Sequence, residues 1–423
     1  MKIAIIGAGI TGLTAAYRLS RQKNQVYVFE QEPYAGGLMA ADKDKDWDWP
    51  LEFYFHHLFP SDRWAINLLT ELGLNHRLFF KTLKTSIYYQ NGIYQFDSPI
   101  SVLKFPFLSL FDKQRLGLAT AFLKLTNDWQ SLSKLTAYQW LKKYYGRKVF
   151  DILWQPLLLG KFHHIAPQIS MAWFWARIKK RGYQFGYLDG GFQVLINKLI
   201  EEIKINQGEI LLKSPVEKLS NLTKNFDRVI ITTLSPRFSQ PTKALPIFGA
   251  VNLLLYLRKP LLNDNTYWLN INQPGFPFVA VVEQTNFIDI SHYGGNHLAY
   301  VGGYYPAGHR YFKLSKEAIY KEWLPYLAKI NPQINQILNH QRLKLNLSLY
   351  AQPVFPVNYS RFMPAYQTAN PKIYLANMQQ IYPWDRSINN AIELAEKISV
   401  MVAASETAAL KTELSSRRKT PRL

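Results

Sequence analysis

The chain has 423 residues, 48% of them hydrophobic and 15% aromatic, more than one ordinary core accommodates, so two domains are expected. It contains no cysteine, which excludes disulfides, thiolate metal sites and thiol redox chemistry and fits a reducing, cytoplasmic setting. A net charge of +21 draws it toward anions such as phosphate, anionic lipid or nucleic acid, but no zinc spacing or RNA-binding aromatic motif supports metal or nucleic acid, and no uncharged apolar run of about 18 residues predicts a spanning helix.

The chain opens with MKIAIIGAGITGLTAAYRL. Ile3 to Ile6, β-branched apart from Ala4, read as a buried parallel strand. Gly7, Gly9 and Gly12 then form G-x-G-x-x-G. Gly7 permits a sharp turn, Gly9 lets backbone approach a pyrophosphate, and Gly12 lets helix and strand lie close. The helix is predicted from Thr11 to Arg21, with its N-terminal amides favouring phosphate. Three spaced glycines and the strand-like KIAIIG weigh against a signal peptide. QVYVFE is the second strand. It ends at Glu30, about 20 residues after the loop, where a carboxylate accepts ribose hydroxyls and disfavours a 2′-phosphate. This order of elements predicts dinucleotide binding. Gly36 and Gly37 in EQEPYAGGLMA form a second glycine pair, which suits a flavin dinucleotide wrapped on both sides.

His56 and His57 in PLEFYFHHLFPSD follow closely enough to reach a flavin's edge; the alternative is a buried histidine bonded to backbone. Helices are predicted in DRWAINLLTELGL, LFDKQRLGLATAFLKL and TAYQWLKKYYG, and a hairpin in KTSIYYQNGIYQF with Asn91-Gly92 at its turn. SPISVLKFPFLSLFDKQRLGLATAFLKL gathers Leu103, Phe105, Phe107, Leu108, Leu110 and Phe111 beside Lys104, Lys113 and Arg115. Such a segment suits a lipid interface, or else it is buried in the domain. In ILWQPLLLGKFHHIAPQISMAWFWARIKKRG, the residues Trp154, Trp173, Phe174 and Trp175 are candidate cavity walls or core aromatics. Lys161 or Arg177 is placed to hold an anion. His163-His164 lacks a third ligand at metal spacing. The stretch from residue 246 onward is richer in strands, with a helix near 315–330. VGGYYPAGH has the wrong spacing for a second dinucleotide fingerprint, so no fixed nicotinamide domain is expected.

GAGITGLTAAYRL…VFEQEPYAGGL resembles the FAD-binding opening of the flavin amine oxidase superfamily, which includes monoamine oxidases, protoporphyrinogen oxidase and phytoene desaturases. Two later blocks share the resemblance. GYLDGGFQVLINKLIEEIKINQGEILLKSPVEKL implies an adenine contact from the backbone at Val216. KIYLANMQQIYPWDRSINNAIELAEKISVMV implies a helix, starting near Ser387, whose N-terminus faces the isoalloxazine and stabilises an anionic reduced flavin. The implied FAD contacts are Gly7, Ala8, Gly9, Ile10, Thr11 and Gly12; Glu30, Gln31, Gly36, Gly37 and Leu38; and Val216, Asn377, Asp385 and Ile388. Leu38 stands where many members carry a basic residue. Asp385 is either a ribityl contact or an ordinary N-cap.

The resemblance implies an α/β fold: a Rossmann-like FAD-binding domain with an inserted α+β substrate domain. The former would comprise 1–62, 186–245 and 370–405, the latter 63–185 and 246–369, with 406–423 a disordered basic tail. It implies an FAD-dependent oxidoreductase drawing hydride from a C–N, C–C or C–O bond of a small-molecule substrate. His57 and Arg177 are its candidate catalytic residues. The H-h-F-x-x-S-D pattern also resembles UDP-galactopyranose mutase, implying a redox-neutral alternative on a nucleotide- or lipid-linked sugar. A flavin-binding protein without turnover is a third reading. The expected location is cytoplasmic, with peripheral membrane contact as a further expectation.

Overall fold

Ile3, Ala4 and Ile5 are fully buried because strand β1 (Lys2–Ile6) is the middle of a sheet covered on both faces. In the computed structural model, which describes residues 1–234, 238 and 246–417, this sheet has five parallel strands. Their order is Ile373–Leu375, Arg228–Ile231, β1, β2 (Gln25–Phe29) and Glu209–Leu211. Side chains alternate across it. Ile3, Ile5, Val26 and Val28 join the main core, while Ala4, Ile6, Val229 and Ile231 join a smaller cluster behind. Helix α1 (Ile10–Ser20) packs with the helix Gln193–Ile205 and with the closing helix Ile388–Arg417. Arg18 of α1 pairs with Glu396 of the closing helix at 2.7 Å.

A second, seven-stranded sheet runs Leu338–Pro353, Ile247–Leu257, His297–Pro306, Ala280–Glu283, Thr266–Ile271, Lys84–Tyr89, Gly92–Gln95. Its pairings are antiparallel except that between Thr266–Ile271 and Lys84–Tyr89. The amphipathic helix Lys316–Ile330 buries Ile319, Trp323 and Leu327 against it. The fold is therefore α/β, a Rossmann-like parallel sheet beside a mixed α+β layer. The hairpin is present, but its turn is one residue earlier than expected. Tyr89 pairs with Gly92, and Gln90 and Asn91 take the positive φ values, 46° and 59°, which a two-residue I′ turn requires. The closing helix carries residues 406–417, expected as a disordered tail, in helical form. Residues 418–423 of that tail lie outside the described residues.

The apolar segment near residue 105 divides. Phe105 and Leu108 are buried, and Phe107 packs on Tyr89 and Tyr94. Ile100, Leu103, Leu110, Phe111, Leu118, Phe122 and Leu125 stay between 52% and 80% exposed. Among the described residues no helix is long and apolar enough to cross a membrane.

Candidate active site

The turn from β1 into α1 is built on bare backbone. Gly7 has φ +105°, and a Cβ on Gly12 would lie 1.9 Å from the Gly7 carbonyl oxygen, so the helix meets the strand only because Gly12 has no side chain. Gly9 pairs with Gly36, and the Gly36 amide donates to the Ala8 carbonyl at 2.8 Å. The two glycine loops are thereby clasped face to face. No side chain caps α1, and its first turn carries no acid, so its leading amides remain for an anion. Glu30, 8% exposed, accepts from the Ala8 amide at 2.8 Å and the Glu32 amide at 3.0 Å. It ties the end of β2 to the glycine loop and has lone pairs to spare for hydroxyl donors.

These groups open into one cavity of about 960 Å³, whose wall includes Gly7, Gly9, Ile10, Thr11, Glu30 and Gln31, then Gly36, Gly37, Leu38 and Val216, and at its far end Asp385 and Ile388. The size is at the upper end for small-molecule sites. Bare glycines, uncapped amides and a hydroxyl acceptor in that order fit a dinucleotide such as FAD. Three sequence candidates lie behind the wall: Ala8, Gly12 and Asn377. The Asn377 side chain accepts from the Gln379 amide at 3.0 Å and donates to the Thr233 carbonyl at 3.3 Å, so its polar atoms are spent on backbone.

At the far end, Ser387 accepts from the Asn390 amide at 3.1 Å and so caps the closing helix, a duty the sequence left open for Asp385. The Asp385 carboxylate instead gathers Lys161 Nζ at 3.1 Å, Trp173 Nε1 at 3.1 Å and the Arg177 guanidinium. Burial alone would raise its pKa; Lys161, Arg177 and Arg386 more than offset this and hold it well below the carboxylate range. Burial in turn pulls the Lys161 ammonium down, with Arg177 and Arg386 adding and Asp385 opposing. Arg386 donates to Gln352 and Tyr304.

The two histidines differ. His56 Nδ1 lies 2.6 Å from the Tyr54 carbonyl, the backbone-bonded state. Burial chiefly, with Arg386, lowers its pKa to about 4 against that bond. His57 meets Phe59, Phe185 and Trp268 edge-on, and its Nδ1 has no partner among the described residues. Burial, then His56 and Arg181, pushes it to about 3. Both rings line the cavity, and both are neutral at pH 7. Trp154, Trp173 and Phe174 also line it, whereas Trp175 turns into the core and donates to the Thr126 carbonyl. Arg177 reaches the wall but is engaged by Asp385. Arg181, one turn on, was missed in the sequence; its spacing of four from Arg177 was the available signal. No group of three potential metal ligands clusters among the described residues.

Comparison with known proteins agrees with this geometry. The family described as flavin containing amine oxidoreductase matches residues 10–397. The 15-cis-phytoene desaturase of Synechococcus elongatus (strain ATCC 33912 / PCC 7942 / FACHB-805) is 25% identical over 241 residues, 52% of this chain and 50% of that protein. The chain thus matches about half the length of such curated relatives. An engineered putrescine oxidase superposes with a TM-score of 0.71 at 15% identity, covering 96% of this chain and 99% of the other. Reduced UDP-galactopyranose mutase superposes with a TM-score of 0.69 at 12% identity, covering 95% and 94%. At such identities these two likenesses establish the fold alone.

Proposed function

This chain belongs to the flavin containing amine oxidoreductase family, and we propose that it is an FAD-dependent oxidoreductase that removes hydride from a carbon–hydrogen bond of a small organic substrate. The observation that supports this reading is the continuous cavity running from the clasped glycine loops to an aromatic and cationic wall. Bound FAD supplies the two-electron acceptor. In this reading Gly9, the α1 amides, Glu30 and Val216 hold the dinucleotide end, and the N-terminus of the closing helix meets the other. Trp154, Phe174 and Trp268 exclude water and orient an apolar substrate. His57, neutral at any pH well above its pKa of about 3, offers a hydrogen bond at Nδ1 and is too weak a base to take a proton from the substrate. Segments 1–62, 186–245 and 370–405 form the cofactor part, and 63–185 and 246–369 the substrate part, residues 235–237 and 239–245 lying outside the described residues; the strand sources of the two sheets support that division.

Stopped-flow absorbance tests the reaction class. Under anaerobic conditions the flavin is expected to bleach when a substrate is added and to recover with an electron acceptor. Product formed only after chemical reduction, with no acceptor consumed, would instead establish the redox-neutral, mutase-like reading.

We also propose that this protein is cytoplasmic and touches anionic membranes. The exposed Phe111, Leu118, Phe122 and Leu125 share one side of the helix Leu110–Leu125, and Lys113, Arg115 and Lys124 belong to the same helix. The helix packs on Met171–Lys180, which brings Trp173, Phe174 and Arg177 to the cavity. Replacing Phe111, Leu118 and Phe122 by Ser should cost little stability at exposed sites and abolish salt-sensitive cosedimentation with phosphatidylserine vesicles. Equal recovery in the supernatant with and without vesicles would remove this contact.

A further inference from the structure

The cations on the cavity wall are not equally committed. Lys161 and Arg177 are held by Asp385, Arg386 by Gln352 and Tyr304. Lys180 donates to Asn390 Oδ1 at 3.1 Å and lies over the Trp384 ring. Arg181, which ends the helix Met171–Lys180, lines the same cavity, and no carboxylate forms an ion pair with its guanidinium among the described residues. Its surroundings suit part of a ligand. Its neighbour Gly182 abuts the Phe59 ring, with an added Cβ 3.9 Å from it. Phe59, Phe185 and Trp268 stand around His57 at ring separations of 5.1, 4.8 and 5.7 Å. Arg181 is close enough to His57 to depress its basicity. Its side chain is open to the cavity; desolvation by the surrounding protein and then Arg177 lower Arg181 to about 10 against the opposing Asp97 carboxylate, so it stays charged at neutral pH.

A guanidinium presents a rigid fork of donors that matches an oxyanion, and it is more weakly hydrated than an ammonium. Aromatic faces beside it accept a flat apolar body. We propose that this corner is an anion subsite for the substrate. The substrate is an apolar or aromatic molecule bearing a carboxylate or phosphate, its oxyanion on Arg181 and its body against Phe59, Phe185 and Trp268. This rests on reading the cavity as the active site and adds the substrate's charge and shape to it.

The test uses the FAD-loaded protein with 2-naphthoate, 2-naphthyl phosphate and the uncharged 2-naphthamide as probes, followed by tryptophan fluorescence and by perturbation of the flavin spectrum. At least one anion is expected to bind about tenfold or more tighter than the amide, the scale of a charge-assisted hydrogen bond. Which anion wins distinguishes a carboxylate from a phosphate site. Arg181→Gln should bring the ratio close to unity and leave the flavin content per chain unchanged; Arg181→Lys should restore part of the preference. Equal binding of acid and amide by the native protein, absence of binding by all three probes, or a preference that survives Arg181→Gln would overturn the subsite. So would loss of flavin from Arg181→Gln, which would make the residue a cofactor contact. Failure of the cofactor reading has a different signature, a native protein that carries no flavin.

Discussion

Gly9→Val is expected to give a folded protein that retains no FAD. Gly9 has φ −73°, a value any residue adopts, and a Cβ there would meet only the Gly37 Cα, at an ordinary 3.9 Å. The first atom of a side chain is therefore accommodated without a clash. What a valine fills is the gap between the clasped glycine loops, where a pyrophosphate must approach backbone amides. Gly12 is the contrasting position, since even alanine there would place Cβ 1.9 Å from the Gly7 carbonyl oxygen and break the turn. Circular dichroism and flavin absorbance of the two purified variants separate the cases: Gly9→Val colourless with a native spectrum, Gly12→Ala poorly folded. Flavin retained in full by Gly9→Val would show that the cofactor does not pass between these loops.

Asp385→Asn should destabilise the protein by about 3–5 kcal/mol, the scale for removing one partner of a buried ion pair. Lys161 and Asp385 have side chains only 10% and 18% exposed, and Arg177 and Arg386 add further positive charge to the same corner. Asparagine preserves shape and a hydrogen-bonding oxygen but leaves those cations without their anion. The pH dependence has a definite sign. A carboxylate held below its usual range contributes stability above its unfolded pKa, near 4, and loses it only as pH falls toward the folded value. The native protein should therefore keep this contribution at pH 7 and pH 5, and the variant should lack it at both. Urea denaturation at the two pH values reads this directly. Adding Lys161→Met to the variant should recover part of the loss, because one unpaired charge is gone. A change below about 1 kcal/mol at pH 7, on the scale of an exposed pair, would mean that water reaches this corner and screens it.

The β1–loop–α1 unit was legible because its determinants are local. Branched residues at Ile3, Ile5 and Ile6 name the strand, and three glycines at fixed offsets name the turn. Glu30 was legible as an acid at the end of β2, but its grip on the Ala8 amide was not, since that depends on how strand and loop meet. Asn377 was read as a cofactor contact from resemblance; in three dimensions its amide completes a backbone turn, a competing use that any asparagine near a loop has. Arg181 escaped because basic residues at a helix C-terminus are already explained by the dipole. Its significance comes from Phe59 and His57, far away in sequence. The division of the apolar segment near residue 105 into a buried and an exposed half was hidden for a similar reason. Phe107 looks like Phe111 in the sequence, but the rings of Tyr89 and Tyr94 cover only the former.

The order of strands in the parallel sheet bears on how the chain comes to its folded state. β1 finds β2 locally, but its other neighbour is Arg228–Ile231, which in turn waits for Ile373–Leu375. The helix that covers α1 begins only at Ile388. Pairings this distant in the chain carry the loop-closure cost that slows folding. During synthesis the glycine turn therefore emerges long before its later partners and is completed last, with the apolar side of α1 only partly covered until then. FAD, which has full purchase only on the closed sheet, then acts as a late-arriving ligand of the native state. It pulls the final assembly forward by mass action, to a degree set by its free concentration relative to its dissociation constant. Flavin supply in the cell should accordingly govern how much of the newly made chain survives to maturity.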